Sequence, residues 1–344
     1  MTADHDADMA GQTGWQILAP LIDLVTPMAV RVAATLRLAD PMRDGPVGID
    51  ELARRVGADP DALARLMRHL VAHGMFSQPQ PGVFGANATA ALLDSAHPSG
   101  MQVSLDLSGF GGQMDLVFTE LLHTVITGEP AWQRKYGAPY WEYLAADPVM
   151  SASFDQAMSA GAEYVRDDLA SYDWSTAEHV VDVGGGTGAF VAALLHEHAQ
   201  LHITLVDLPA TVERARTYLG DQGLDSRVDF AAQSFFDPLP GGGDVYVLNS
   251  VIHDWPDDAA AAILRRCAEA AGPKGRVLMI EEEHDTENSS YAEMDLRMLV
   301  LCGGRERSLA EYTRLAGKAG LTVRHVETTP LGQVGIECTP SVRQ

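Results

Sequence analysis

Two constellations in the second half of the chain carry residues that could do chemistry. The first is Val181-Asp182-Val183-Gly184-Gly185-Gly186-Thr187-Gly188, where a β-branched run gives way to glycines. Glycines there permit a tight turn and let a ligand approach the backbone, and a helix starting after them points free N–H groups at the same place. Asp207 stands 19 residues beyond Gly188, at the end of the next β-branched run, where a carboxylate can accept both hydroxyls of a ribose. The second constellation is Asn249-Ser250-Val251-Ile252-His253-Asp254-Trp255. A histidine just past a strand end can take a proton from a hydroxyl. Glu281, closing a later apolar run, and Glu306, in Gly303-Gly304-Arg305-Glu306-Arg307, are the carboxylates that could orient the ring.

The glycine loop with its acidic partner is a nucleoside signal, and NAD and S-adenosylmethionine both carry adenosine. Two features favour the methyl donor. The loop lies beyond residue 180, deep in the chain, and Gly186-Thr187-Gly188 continues as Ala189-Phe190-Val191, without the G-x-G-x-x-G spacing. Gln233-Ser234-Phe235-Phe236-Asp237 follows the third strand-like run, where an aromatic ring can cover a purine or pack into the core. With a sulfonium methyl already activated, the missing component is an oxygen nucleophile, because a phenol titrates near ~10 and histidine near ~6.5. A base that removes the proton as the O–C bond forms supplies it. Each residue also has a plainer explanation: a ligand-free turn, a packed histidine, a solvated glutamate. His284, after Glu281-Glu282-Glu283, is a second histidine that no spacing argument favours.

These residues need a sheet to bring them to one edge. After Trp174, β-branched runs at 179–183, 203–207, 228–232, 244–249 and 276–280 read as buried strands, most separated by helical stretches. That rhythm is an α/β doubly wound parallel sheet with helices on both faces. Runs at 323–327 and 334–338 are joined closely enough to pair antiparallel, which suits a methyltransferase-type sheet better than a dinucleotide-binding one. Before Trp174 the pattern is helical. Ile49, Leu52, Ala53 and Val56 form one stripe; Gly57 breaks it; Asp59-Pro60 restarts a helix carrying Leu63, Leu66, Met67, Leu70 and Val71. With extended pieces at 75–76 and 83–84, this resembles a winged helix-turn-helix. The boundaries read as an N-terminal domain over 1–100, a helical lid or linker over 101–175, and a catalytic domain over 176–344.

Composition narrows the setting. The net charge of −23 argues against a polyanionic partner, so the winged-helix pattern reads as a dimerisation or lid domain, with a ligand-sensing, DNA-binding regulator as the distant alternative. No apolar run looks long enough for a membrane span, residues 1–12 look like an acidic tail, and three scattered cysteines suggest neither disulfides nor a zinc site, so a cytoplasmic enzyme without metal is expected.

In this order the motifs resemble those of the caffeate and flavonoid O-methyltransferases of plants and their bacterial relatives that tailor polyketides and other aromatic antibiotics. The likeness covers nearly the whole chain. It implies a Rossmann-like methyltransferase sheet behind a mostly helical, winged-helix-like dimerisation domain, a homodimer, S-adenosyl-L-methionine as donor with S-adenosyl-L-homocysteine as product, and a small aromatic acceptor. By the resemblance, Gly184, Gly186, Asp207, Ser234, Phe235 and Asn249 match cofactor positions, and Trp255 matches one near the adenine. His253 matches the general base, and Glu281 and Glu306 the acids that hold it. Met158 matches a residue on the acceptor, and Trp141, Phe154 and Met298 join it as candidate walls of an apolar pocket. Two departures stand out: Gln233-Ser234 replaces the usual Gly-Asp before the Phe pair, and Asn249 replaces a lysine frequent in plant members. The histidine, absent from some relatives acting on anthracycline-type substrates, is present here and favours deprotonation-assisted O-methylation over catalysis by positioning alone; C- or N-methylation or hydroxylation on the same fold is the alternative.

Overall fold

A computed structural model describes residues 13–158, 162–283 and 289–341, so the expected N-terminal tail and His284 lie outside the described residues. Contacts divide the chain into two units between Gln113 and Met114, inside the short helix Phe110–Leu116.

In the first unit the helix signals act where the residue types place them. Helices α1 (Gly14–Ile22) and α2 (Val25–Thr35) come first; after the two-residue strand β1 (Val47–Gly48), α3 (Ile49–Val56) ends on Gly57 in the left-handed region, and α4 (Pro60–Ala72) begins with Asp59 accepting the Ala62 N–H. The stripe buries Leu52, Leu63, Met67 and Leu70 against Phe76 of β2 (Phe76–Gln80) and Phe84 of β3 (Val83–Ala86). The three strands pair antiparallel in the order β1-β3-β2, giving the winged-helix arrangement. One expectation needs correction. The stretch Gly14–Thr35 is apolar and long enough to cross a membrane, with mean hydropathy 1.7. It escapes notice as a single run because Asp23 interrupts it, ending α1 and capping the start of α2 by accepting the Val25 N–H. Trp15, Leu18, Leu21, Ile22, Leu24 and Val25 all stay exposed.

The second unit starts with short helices: α5 (Leu121–Thr127), α6 (Trp132–Tyr136), α7 (Tyr140–Ala146), α8 (Pro148–Met158) and α9 (Ala162–Leu169). Then strands and helices alternate: β4 (His179–Val183), α10 (Ala189–Glu197), β5 (His202–Asp207), α11 (Pro209–Asp221), β6 (Val228–Ala232), β7 (Val245–Asn249), α12 (Asp257–Ala271) and β8 (Arg276–Glu282). The chain closes with α13 (Ser289–Leu301), α14 (Leu309–Lys318), β9 (Leu321–Thr328) and β10 (Gln333–Pro340). The sheet order is β6-β5-β4-β7-β8-β10-β9. The first five are mutually parallel; β10 runs antiparallel to both β8 and β9.

Alternate residues feed two cores. Val181, Val183, Tyr246, Leu248, Val277 and Met279 meet α12 and α14, while Val180, Ile203, Leu205, Val247 and Ile280 meet α10 and α11. Burial of each such side chain stabilises by roughly 1.5–3 kcal/mol, which is why the runs read as continuously apolar. The chain leaves β4 for β5 and β6 on one side, then returns to place β7 and β8 on the other. The order therefore reverses between β4 and β7, and ligands of such sheets bind outside the carboxyl ends at that point. Asp207, Asn249 and Glu281, at or near strand ends, share this rim.

Candidate active site

The turn after β4 is built around residues without side chains. Gly184 and Gly186 both have positive φ, +81° and +56°. A Cβ at Gly184 would stand 2.9 Å from Val251 Cγ2, and one at Gly185 2.5 Å from Asp182 Oδ2. The Gly184 N–H donates to Val206 O at 2.8 Å and the Gly186 N–H to Asp207 Oδ2 at 2.9 Å, so the loop is tied to the end of β5. Asp207 Oδ1 also accepts its neighbour's N–H, from Leu208 at 2.7 Å. Each of its oxygens keeps a further lone pair, the requirement for gripping a ribose diol. Burial, opposed by those two N–H groups, raises the Asp207 pKa to about 6. Beneath the turn, burial and the Asp207 charge push Asp182 up to about 7.

An aromatic cluster flanks the loop. Phe235 lies 3.6 Å from the Cβ position of Gly184 and packs on Phe236 and, edge-on, on Trp255. The Ser234 hydroxyl accepts the Phe236 N–H at 3.2 Å, fixing the turn that aims Phe235. Asn249, at the end of β7, donates through Nδ2 to Asp168 on α9 at 2.9 Å.

His253 sits in a single 3-10 turn, Ile252–Asp254, past β7. Its Nδ1 is 2.8 Å from Glu306 Oε1, and the Glu306 side chain is fully buried. A carboxylate accepts only, so Nδ1 carries the hydrogen and Nε2 is the basic nitrogen of the neutral ring. Nε2 makes no hydrogen bond among the described residues; Asp254 Oδ1 stands 3.7 Å from it. Burial favours the neutral ring, but Asp254, Glu306 and Glu281 outweigh it, and the pKa is raised well above 6.5.

Glu281 does not reach the ring by a hydrogen bond. Its Oε1 accepts the N–H groups of Val251 at 3.2 Å and Ile252 at 2.7 Å, so it holds the backbone that presents His253. Arg307, 1% exposed, holds the same loop from beyond: it donates to Ile252 O, Trp255 O and Asp257 Oδ1. Arg305 N donates to His253 O at 2.8 Å, and a Cβ on Gly304 would lie 2.1 Å from that oxygen. The sequence reading missed Asp254, Gly304 and Arg307 as parts of the site. The motifs contain all three, but only the fold reveals that residues 303–307 clasp the His253 turn.

Of the candidate acceptor walls, the structure brings two together. Trp141 of α7 stacks on Trp255 at 5.7 Å with 15° between planes, and meets Phe154 of α8 edge-on at 6.0 Å. The indole N–H groups of Trp141 and Trp255 are buried without an acceptor among the described residues. Met298 is buried on α13, and its carbonyl receives the N–H groups of Cys302, Gly303 and Gly304, which sets the course of the segment leading to Glu306. Met158, 55% exposed, stands one helical turn beyond Phe154 on α8. It lines an open groove of about 1190 Å³ with Asp155, Thr187, His196, Arg214 and Tyr218.

Comparison with known proteins matches residues 118–322 to the O-methyltransferase domain and residues 21–95 to the O-methyltransferase dimerisation domain. The chain is 48% identical to a 2,7-dihydroxy-5-methyl-1-naphthoate 7-O-methyltransferase of Streptomyces carzinostaticus, covering 93% of this chain and 96% of the relative. It is 42% identical to the aclacinomycin 10-hydroxylase RdmB of Streptomyces purpurascens, over 95% of this chain and 87% of that one. Among solved structures it resembles NcsB1, an O-methyltransferase from neocarzinostatin biosynthesis bound to S-adenosylmethionine and 2-hydroxy-5-methyl naphthoic acid. There the TM-score is 0.88 at 46% identity, over 96% of this chain and 99% of that chain.

Proposed function

Because this chain belongs to the O-methyltransferase family, we propose that it carries the methyl group of S-adenosyl-L-methionine to a phenolic hydroxyl of a small aromatic natural product, with His253 as the general base. The observation that carries the reading is the state of the imidazole: Nδ1 is held by Glu306, and Nε2 is left without a hydrogen bond at the rim where the sheet order reverses.

The residues present fit the cofactor. The glycine turn leaves a cradle that a Cβ at Gly184 would fill, and Asp207 stands at the end of β5 with lone pairs for two ribose hydroxyls. Phe235 and Trp255 offer apolar faces to a purine. Bound there, S-adenosyl-L-methionine supplies an electrophilic methyl on a positively charged sulfur. His253 accepts the phenolic proton at Nε2, and Glu306 stabilises the imidazolium that results. The carboxylates raise the ring's proton affinity, which makes it a stronger base toward a phenol. Trp141 and Phe154 exclude water and orient the acceptor ring.

The naphthoate in the name of the Streptomyces carzinostaticus enzyme and the naphthoic acid bound in the NcsB1 complex support a one- or two-ring phenol and make dihydroxynaphthoates the first compounds to try. The matched dimerisation domain and the exposed apolar face of α1 support a homodimer. The hydroxylase relative supplies the second reading, oxygenation of the aromatic in place of methylation. Incubation with methyl-labelled cofactor and a panel of phenols, followed by mass spectrometry, separates the two. A labelled aryl ether supports methylation at oxygen; label on carbon or nitrogen, or an unlabelled product heavier by one oxygen, overturns it.

A further inference from the structure

At the end of β7, one buried carboxylate is only half used. Asp168, on the last turn of α9, is 5% exposed. Its Oδ2 accepts from Asn249 Nδ2, while Oδ1 is buried with no donor among the described residues. The neighbouring Asp167 shows the contrast, since it takes the Thr329 hydroxyl and the Leu331 N–H. Leaving a buried acceptor without a donor costs about 1–3 kcal/mol, and more for a charged one. Burial, and more weakly Asp167 and Glu282, raise the Asp168 pKa to about 6. A cation brought to Oδ1 would relieve both penalties.

The position fits one part of one ligand. β7 pairs with β4, so the end of β7 that carries Asn249 lies beside the strand that leads into the glycine turn. Asn249 is held to face it. Ser250 adopts φ +53°, a left-handed conformation costly for a residue with a side chain, and its hydroxyl donates to Asn249 Oδ1 at 3.3 Å. An asparagine positions the carboxylate without neutralising it, as a lysine would. Asp182 also has an open oxygen, but that one lies inside the glycine turn, 2.5 Å from a Cβ at Gly185.

We propose that Asp168 Oδ1 receives the α-ammonium group at the amino-acid end of the methyl donor, with Asn249 holding the carboxylate in place. The assignment rests on the S-adenosyl-L-methionine reading above. An ammonium has three donors and the matching charge, whereas the acidic surroundings repel a carboxylate. Asp168 is thus a binding residue that serves the zwitterionic end of the cofactor, while Asp207 serves the ribose.

The test uses two ligands that share the nucleoside thioether and differ in the amino-acid end. S-adenosyl-L-homocysteine and 5′-methylthioadenosine are titrated by calorimetry into the full chain and into Asp168→Asn, which keeps the shape and an oxygen for Asn249. We expect Asp168→Asn to bind S-adenosyl-L-homocysteine at least about tenfold more weakly, about 1.4 kcal/mol, and to bind 5′-methylthioadenosine within about twofold of wild type. Retained 5′-methylthioadenosine binding also reports that the variant is folded. Unchanged S-adenosyl-L-homocysteine affinity, as if water served Oδ1, overturns the assignment; so do equal losses for both ligands. A wild-type protein that binds neither overturns the cofactor reading as well.

Discussion

Replacing Glu306 by glutamine removes one charge from the His253 site while leaving its shape. The carboxamide oxygen can still accept the Nδ1 hydrogen, now 2.8 Å from Glu306 Oε1, so the ring keeps its orientation. The electrostatic part is what changes. At an effective dielectric near 20 and a charge separation of about 4 Å, the pair is worth about 4 kcal/mol, equivalent to about 3 pKa units. Asp254 and Glu281 remain and hold part of the elevation, so the ring pKa should fall by about 1–3 units. A ring that acts as base works only when neutral, so kcat/KM falls on the acid side of its pKa. The assay is a kcat/KM profile from about pH 5 to about 10 for both proteins. Wild type should show its acid limb above the ordinary histidine value of 6.5, and Glu306→Gln should shift that limb to lower pH. The variant's plateau should be lower too, by about tenfold, because the remaining base is weaker. A limb that does not move, or moves toward alkaline pH, would refute the Glu306–His253 coupling.

Two further perturbations probe the supports. In Gly304→Ala, the new Cβ meets His253 O at 2.1 Å, so the turn carrying the imidazole must move; turnover should drop at least about tenfold with a destabilisation of about 1–3 kcal/mol, and a normal rate with an unchanged melting temperature would show that residues 303–307 do not set the His253 turn. Asp182 has its carboxyl raised from 3.8 to about 7 in the folded chain, so the fold is favoured when it is protonated and loses that contribution as pH rises through about 7. Asp182→Asn does not titrate and should therefore melt several degrees above wild type at about pH 8, an advantage of up to about 4 kcal/mol that narrows toward about pH 4. A melting difference independent of pH would mean that Asp182 is not the titrating group.

The sheet was legible because local pattern determines it. Strands buried on both faces leave continuous apolar runs, and 179–183 and 228–232 coincide with β4 and β6 to the residue. The ends of β8, β9 and β10 run a few residues further than the pattern indicates, since β-pairing such as Gln333↔Glu282 extends strands past their apolar stretch. The glycine turn was legible for a related reason: its glycines and Asp207 lie on consecutive elements. What sequence could not supply are contacts between distant segments. Nothing in the spacing indicates that Glu281 serves the backbone of Val251 and Ile252 and leaves the ring to Glu306, or that Arg307 grips Trp255 and Asp257. Asp168 reaches Asn249 across 81 positions, through a helix with no motif.

The most direct measurement is the single-turnover methylation rate of His253→Ala with saturating cofactor, taken alongside its affinity for S-adenosyl-L-homocysteine. A neutral imidazole that removes the phenolic proton is worth about 10²- to 10⁴-fold, so the rate should fall by that much while the affinity stays within about fivefold of wild type. A variant that transfers the methyl at nearly the wild-type rate would contradict the account, whatever the rest of the site proves to bind.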